Sequence, residues 1–311
     1  MTKILDSTLR DGAYAFGNCM PMAYVKSIAH NLDQLVDYIE VGSAISFGNG
    51  STTALDDDLK RLSAVDEILT TTQTAIFIQP SLWHELSSPE LATLFTKPPG
   101  LIRIGIDPEV APSIEQDLII QCRELSIPFS INLMKAYKYD QKMFDYIIKV
   151  TSGSADIVSI VDSSGCMTLD EVLTIVSGLS CQIKASFAIH VHNNLGYANQ
   201  ISMSCLQKGI FADSTLLGKG RAGGNSDTCL LVIQRALDRG IDIDKLDKIL
   251  HSLLLSTQPI WGDSARTHLI DILLGVTSLH SSKLRSALSN SLQVLPTLKS
   301  MLNVAWLSRS I

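Results

Sequence analysis

Apolar and β-branched residues gather along this chain in short runs, at Lys3–Ser7, Asp37–Val41, Ala75–Gln79, Leu101–Ile106, Pro128–Leu133, Asp156–Val161, Phe187–His192 and Phe211–Leu216. Between them lie longer stretches with helical spacing, Tyr24–Leu35 and Asp117–Leu125 among them. Helical crossovers of that length predict parallel strands, because antiparallel neighbours need only a tight turn. Eight such units can close a (β/α)8 TIM barrel. An open doubly wound sheet is the rival; it usually carries a glycine-rich turn after its first strand, where this chain has Asp6-Ser7-Thr8-Leu9-Arg10. The pattern therefore predicts an α/β fold, with a TIM barrel over residues 1–240.

After the eighth run, Thr228–Arg239 reads as the last barrel helix. From Asp244 onward the pattern is helical, with breaks expected at Pro259-Ile260-Trp261-Gly262 and at Pro296. Residues 241–311 thus read as a C-terminal helical appendage. It would serve as dimer contact or barrel cover, or else as a lid or a docking surface for a partner enzyme.

Composition narrows the partners. The 311 residues are 46% hydrophobic and 18% charged, enough apolar surface for a large core without disulfides. A net charge of -6 and scattered Lys and Arg residues argue against nucleic acid. Polar residues interrupt every apolar stretch short of the roughly 20 residues a membrane span needs. The cysteines form no C-x-x-C pair, and no charged-then-apolar leader precedes Ile4, so reduced thiols in a cytoplasmic protein are expected.

Barrel active sites lie where the strands end, so polar residues at those ends carry the candidate chemistry. Here they are Asp6, Arg10 and Asp11 after the first strand, Glu40 on the second, Gln79 after the third and Asn132 on the fifth. Asp162, followed by Ser163, closes the sixth, and His190 and His192 lie on the seventh. Residues two apart on a strand face the same side, so both imidazoles can address one point in the barrel mouth. Asp11 would complete a mixed oxygen and nitrogen metal site suited to Mn²⁺, Mg²⁺ or Zn²⁺, with positions open for a chelating substrate. Arg10 could then stabilise a developing enolate. The loop Gly218–Asn225, with Gly223 and Gly224, precedes a helix and could cradle an anion on backbone N–H groups, and Asn225 could add a neutral oxygen ligand.

Leu5–Gly12, Tyr38–Gly42, Val161–Gly165, His190–Asn194 and Gly218–Asn225 stand in the order seen in the pyruvate-carboxyltransferase-like, HMG-CoA lyase-like metal-dependent barrels. The chain resembles that superfamily over roughly residues 3 to 235, and within it looks nearest to the 4-hydroxy-2-oxovalerate aldolases. The resemblance implies metal binding by Asp11, His190, His192 and Asn225 and enolate stabilisation by Arg10. It implies cleavage or formation of a C–C bond in a 4-hydroxy-2-oxo acid, giving a 2-oxo acid and an aldehyde. It also suggests a homo-oligomer, and a dehydrogenase partner that would receive the aldehyde.

Two departures stand out. Those aldolases place a histidine base where this chain has Tyr14, and their C-terminal tyrosine has no clear match. The opening Thr8-Leu9-Arg10-Asp11-Gly12-Ala13-Tyr14 instead resembles an aldolase-like subgroup with T-L-R-D-G-G-Y, often associated with surface-polysaccharide pathways, in which a late histidine corresponds to His280. Tyr14 and His280 are thus candidate catalytic residues, Tyr14 as acid, base or stacking wall. An acyl-CoA-dependent Claisen condensation with a 2-oxo acid is the alternative, favoured by Gly220-Arg221-Ala222-Gly223 and opposed by Lys219, where those synthases carry glutamate. A non-catalytic metal-binding barrel is a third reading.

Overall fold

The computed structural model describes residues 2–17, 20–43, 53–79, 94–109, 115–151 and 154–276. Eight strands follow the predicted runs: β1 (Ile4–Asp6), β2 (Tyr38–Gly42), β3 (Gln73–Ile78), β4 (Leu101–Ile106), β5 (Phe129–Leu133), β6 (Ser154–Asp162), β7 (Lys184–Val191) and β8 (Phe211–Ser214). Each pairs in parallel with the next, and β8 returns to β1 through Leu5 opposite Asp213, closing the barrel. Around it lie α1 (Met22–Leu32), α2 (Thr53–Asp66), α3 (Glu115–Glu124), α4 (Gln141–Thr151), α5 (Leu169–Ser180), α6 (Ala198–Gln207) and α7 (Thr228–Asp238). Two further helices follow, α8 (Ile243–Trp261) and α9 (Asp263–Val276).

The strand residues sort by parity, as side chains on a strand must. One set, including Ile39, Ile102, Ile104, Ile131 and Ile189, joins the apolar shell shared with the helices. The other points into the barrel. Its first layer is apolar, from Leu5, Tyr38, Ala75, Leu101, Ile157 and Ala188. Two residues further along, the same parity brings Glu40, Arg103, Ser159, His190 and Asp213, all buried. A barrel interior is ordinarily filled by branched apolar side chains, so a charged layer there marks a position given over to chemistry.

The ends of several elements differ from expectation. Strand β7 stops at Val191, and His192 continues as an isolated antiparallel bridge to Asn225. Strand β8 stops at Ser214 because Leu216–Gly218 winds into a 3₁₀ turn. The break expected over Pro259–Gly262 falls at the last of those residues, with Pro259 itself inside α8. In the last turn of the helix the proline forfeits the one bond that an N–H there would donate to Leu255 O. The helix ends at Gly262, whose positive φ of 59° a glycine adopts readily and whose N–H reaches Gln258 O at 2.8 Å. Pro296 and His280 lie outside the described residues.

The C-terminal helices reach the loops of the barrel mouth. The Trp261 ring lies 5.8 Å from Phe16, in the 3₁₀ turn Gly12–Phe16 that also carries Tyr14. His268 on α9 pairs with Asp227, which caps α7 just beyond Asn225. Among the described residues, no helix is long and apolar enough to cross a membrane.

Candidate active site

Asp11, His190 and His192 converge at the mouth of the barrel, each buried, with one ligand atom apiece all within 4.8 Å of one another. The tight turn after β1 brings Asp11 inward: the N–H groups of Arg10, Asp11 and Gly12 all reach Ser7 O. His190 and His192 stand two apart, with ring centroids 5.2 Å apart and edge to face. The Nδ1 atoms of both histidines turn away from Asp11. His192 Nδ1 meets Gly224 O at 3.1 Å, and His190 Nδ1 lies 3.3 Å from Asp213 Oδ2. Both Nε2 atoms therefore face Asp11, at 3.3 Å for His190 and 4.0 Å for His192.

This donor set fits one divalent ion. Both Asp11 oxygens, His192 Nε2 and Asn225 Oδ1 are sealed from solvent without a hydrogen-bond partner, which is costly unless something else satisfies them. A carboxylate, two imidazoles and an amide oxygen would together offer a mixed oxygen and nitrogen set, with His192 Nδ1 bonded to Gly224 O and His190 Nδ1 facing Asp213. Asn225 sits beside His192 through their backbone bridge. Gly220 makes room for it, since a Cβ there would fall 2.1 Å from Asn225 Nδ2.

Electrostatics separate the ligands. Burial alone would raise the Asp11 carboxyl, but Arg10 first and the two histidines after it hold it far below the carboxylate range. Burial, then the neighbouring His190, pushes His192 down to about 4. Burial would lower His190 as well, yet the close approach of Asp11 and Asp213 raises it above its ordinary value.

Arg10 lies beside the ligands, with Nη1 3.9 Å from Asp11 Oδ2. Its Nε donates to Glu40 Oε2 at 2.7 Å, and its guanidinium rests 5.4 Å from the Phe77 ring centroid. Gly105 on β4 admits that ring, since a Cβ there would meet Phe77 Cζ at 2.6 Å. Tyr14 is half-buried, with the Arg221 guanidinium 5.8 Å from its ring centroid. Burial raises its phenol above the usual value, against the pull of Arg221 and Arg10.

The residues expected to touch substrate divide differently. Gln79 follows β3 and stays partly exposed at the mouth. Glu40 is fully buried and committed on both oxygens, to Arg10 and Ser7 on one and Arg103 on the other, so it holds Arg10 in place. Asn132 bonds Ser130 at 2.7 Å and, with its amide oxygen turned inward, accepts from Arg103 Nη2 at 2.8 Å. Asp162 accepts from Met167 N at 2.8 Å and Ser163 Oγ from Lys135 N at 3.0 Å, so both tie down loops.

In the loop expected to cradle an anion, the N–H groups of Gly223 and Gly224 are already engaged. The Gly223 N–H is spent on Asn194 Oδ1 at 3.2 Å and the Gly224 N–H on Arg221 O at 3.0 Å, while the Gly224 carbonyl orients His192. Sequence reasoning passed over Asp213 and Arg103, although each is a charged residue at the inward parity of a strand.

Comparison with known proteins agrees with this geometry. Residues 101–252 match the HMGL-like family. The chain is 29% identical over 257 residues to a 4-hydroxy-2-oxovalerate aldolase of Carboxydothermus hydrogenoformans, covering 78% of this chain and 74% of that one. It is 26% identical over 298 residues to the aldolase of the same name from Geobacillus thermodenitrificans, covering 90% and 82%. Among solved structures, the N-terminal domain of an aldolase candidate from Bacteroides vulgatus superposes with a TM-score of 0.61 at 25% identity, covering 91% of this chain and 99% of that one. An HMG-CoA lyase from Acinetobacter baumannii superposes with a TM-score of 0.63 at 16% identity, covering 83% and 90%, a likeness of fold.

Proposed function

From its place in the HMGL-like superfamily of barrels, we propose that this chain is a divalent-metal-dependent aldolase that forms or cleaves the C–C bond of a 4-hydroxy-2-oxo acid. One observation carries the reading: buried ligand atoms without hydrogen-bond partners, from Asp11, His192 and Asn225, converge beside a positioned guanidinium at the C-terminal mouth of a barrel. We take Mn²⁺ or Mg²⁺ as the ion, with Zn²⁺ also compatible with this mixed oxygen and nitrogen set.

A bound divalent ion supplies Lewis acidity toward the 2-oxo group of the substrate. Arg10, held by Glu40 and Phe77, offers its Nη atoms to the negative charge that develops on the 2-oxo oxygen. The fixed orientation matters, because preorganised donors need no rearrangement as the charge appears. Tyr14 keeps its phenol proton at neutral pH, which suits it to donate to the nascent 4-alkoxide when the bond forms. In the cleavage direction microscopic reversibility requires Tyr14 to enter as the phenolate and take up the 4-hydroxyl proton, a form that burial makes scarce at neutral pH.

The test needs no knowledge of the aldehyde. The Mn²⁺-loaded protein is incubated with pyruvate in D₂O and the methyl proton signal followed by NMR, with Asp11→Ala and chelator-treated protein as controls. Metal-dependent loss of signal, abolished in Asp11→Ala, is expected. Retention of the methyl signal by protein with Mn²⁺ demonstrably bound refutes pyruvate enolisation. Release of free thiol from acetyl-CoA and a 2-oxo acid would instead establish an acyl-CoA condensation.

A further inference from the structure

Among the described residues, Arg103 is a buried cation of the barrel interior that the steps above do not use. Arg103 on β4 shares the inward parity of Leu101, and at 1% exposure it is among the largest fully buried side chains described. Its Nη1 donates to Glu40 Oε1 at 2.8 Å and its Nη2 to Asp213 Oδ2. Each carboxylate reaches on to a different working residue. Glu40 Oε2 accepts from Arg10 Nε, and Asp213 Oδ2 lies 3.3 Å from His190 Nδ1.

We propose that Arg103 is a positioning residue that sets the metal ligand His190 through Asp213 and the enolate-stabilising Arg10 through Glu40, so that metal affinity and carbonyl chemistry share one buried guanidinium. The inference rests on the metal-aldolase reading of the site.

The chemistry favours an arginine in this role. Glu40 and Asp213 come from β2 and β8, on either side of β1, and their charges oppose one another. Burying two carboxylates is costly unless a cation satisfies both, and the planar guanidinium presents separate N–H groups to each. Lysine, a point charge, cannot hold two carboxylates in fixed directions at once. A carboxylate behind a ligand histidine fixes the ring and strengthens its basicity, so Asp213 acts directly on His190. Arg103 in turn fixes Asp213. Apolar side chains would have filled the layer at less cost in desolvation, and the layer beneath Arg103 is in fact apolar.

The experiment compares wild type, Asp213→Asn, Arg103→Met and Arg103→Lys by two readouts. Mn²⁺ affinity is measured by electron paramagnetic resonance of the free ion, and pyruvate methyl exchange is measured at saturating Mn²⁺. Circular dichroism and cooperative thermal unfolding establish that each variant is folded. Asp213→Asn is expected to weaken Mn²⁺ binding by about 10- to 100-fold, the usual effect of losing such a partner. Arg103→Met is expected to weaken Mn²⁺ binding and also to lower exchange at saturating metal, because Arg10 loses its fixed partner. Arg103→Lys is expected to restore neither fully.

A folded Arg103→Met variant with wild-type affinity and exchange overturns the inference. Should that variant fail to fold, wild-type Mn²⁺ affinity in Asp213→Asn overturns it as well. Failure of the wild-type protein to bind Mn²⁺ overturns the metal-site reading, and the inference falls with it; binding that is unchanged across the variants overturns the inference alone.

Discussion

Raising the pH from about 5.5 to about 7.5 is expected to tighten Mn²⁺ binding through release of a single proton, and that proton comes from His190. Three ligands titrate near the ion, and their surroundings separate them. Asp11 is held ionised throughout this range by Arg10 and the histidines. His192, pushed down to about 4, is already neutral and gives up no proton. His190 has its folded-state value raised by Asp11 and Asp213, so near pH 6 it carries a proton that the metal must displace.

The sign follows for stability as well as for binding. A raised histidine pKa contributes stability to the metal-free protein below the unfolded value, and that contribution disappears as the pH rises through the folded value. Metal binding opposes it in the same window. Each pH unit below the His190 value costs about tenfold in affinity, or about 1.4 kcal/mol. Isothermal titration in buffers of different ionisation enthalpy counts the protons, and Mn²⁺ titrations across the range give the slope. The expected result near pH 6 is about one proton per ion, with the affinity levelling off at higher pH. No proton released there, or two, would refute the reasoning, the first by removing the proton from His190 and the second by placing another on His192.

Glu40→Ala leaves two buried guanidiniums short of a partner and is expected to destabilise the fold by about 3–5 kcal/mol, lowering the unfolding midpoint by roughly 10 °C in calorimetry; an unchanged midpoint would mean the layer is not ionic. Gly220→Ala drives a methyl group into the Asn225 amide and is expected to weaken Mn²⁺ binding with the fold intact, while wild-type affinity would remove Asn225 from the ligand set. Tyr14→Phe is expected to slow cleavage of a 4-hydroxy-2-oxo acid by about 10²- to 10⁴-fold at unchanged Mn²⁺ affinity, and equal rates would leave the phenol as no more than a wall.

Much of this architecture was legible in the chain because a barrel repeats one rule. Each strand is a short apolar run, and each strand end faces the mouth, so Asp11, His190 and His192 could be gathered before any distance was known. The pairing of the histidines survives the early end of β7, since the bridge from His192 to Asn225 keeps the backbone extended. What remained hidden depends on which way a polar group turns once it is buried. Asp162, Ser163 and Asn132 sit at strand ends as expected, yet loops and neighbouring side chains take up their hydrogen bonds. The Gly223 and Gly224 N–H groups do likewise, because closing the loop against Asn194 and Arg221 satisfies them locally.

Arg103 and Asp213 went unread for a different reason, and it points to a better rule. Both lie in the middle of apolar strands, Leu-Ile-Arg-Ile-Gly-Ile and Phe-Ala-Asp-Ser, where a search confined to strand ends does not look. Parity alone places them inward, because Arg103 falls two residues after Leu101 and Asp213 two after Phe211. Outward, at helix-facing positions, either charge would be buried against an apolar shell with nothing to pair it. Inward, each finds an opposite charge at the same height on another strand, as Glu40 does. In a closed barrel, then, inward charges of both signs at one level predict a layer beneath the mouth that aims the residues above it. Here that layer connects Arg10, which would steady the enolate, with His190, which would bind the ion.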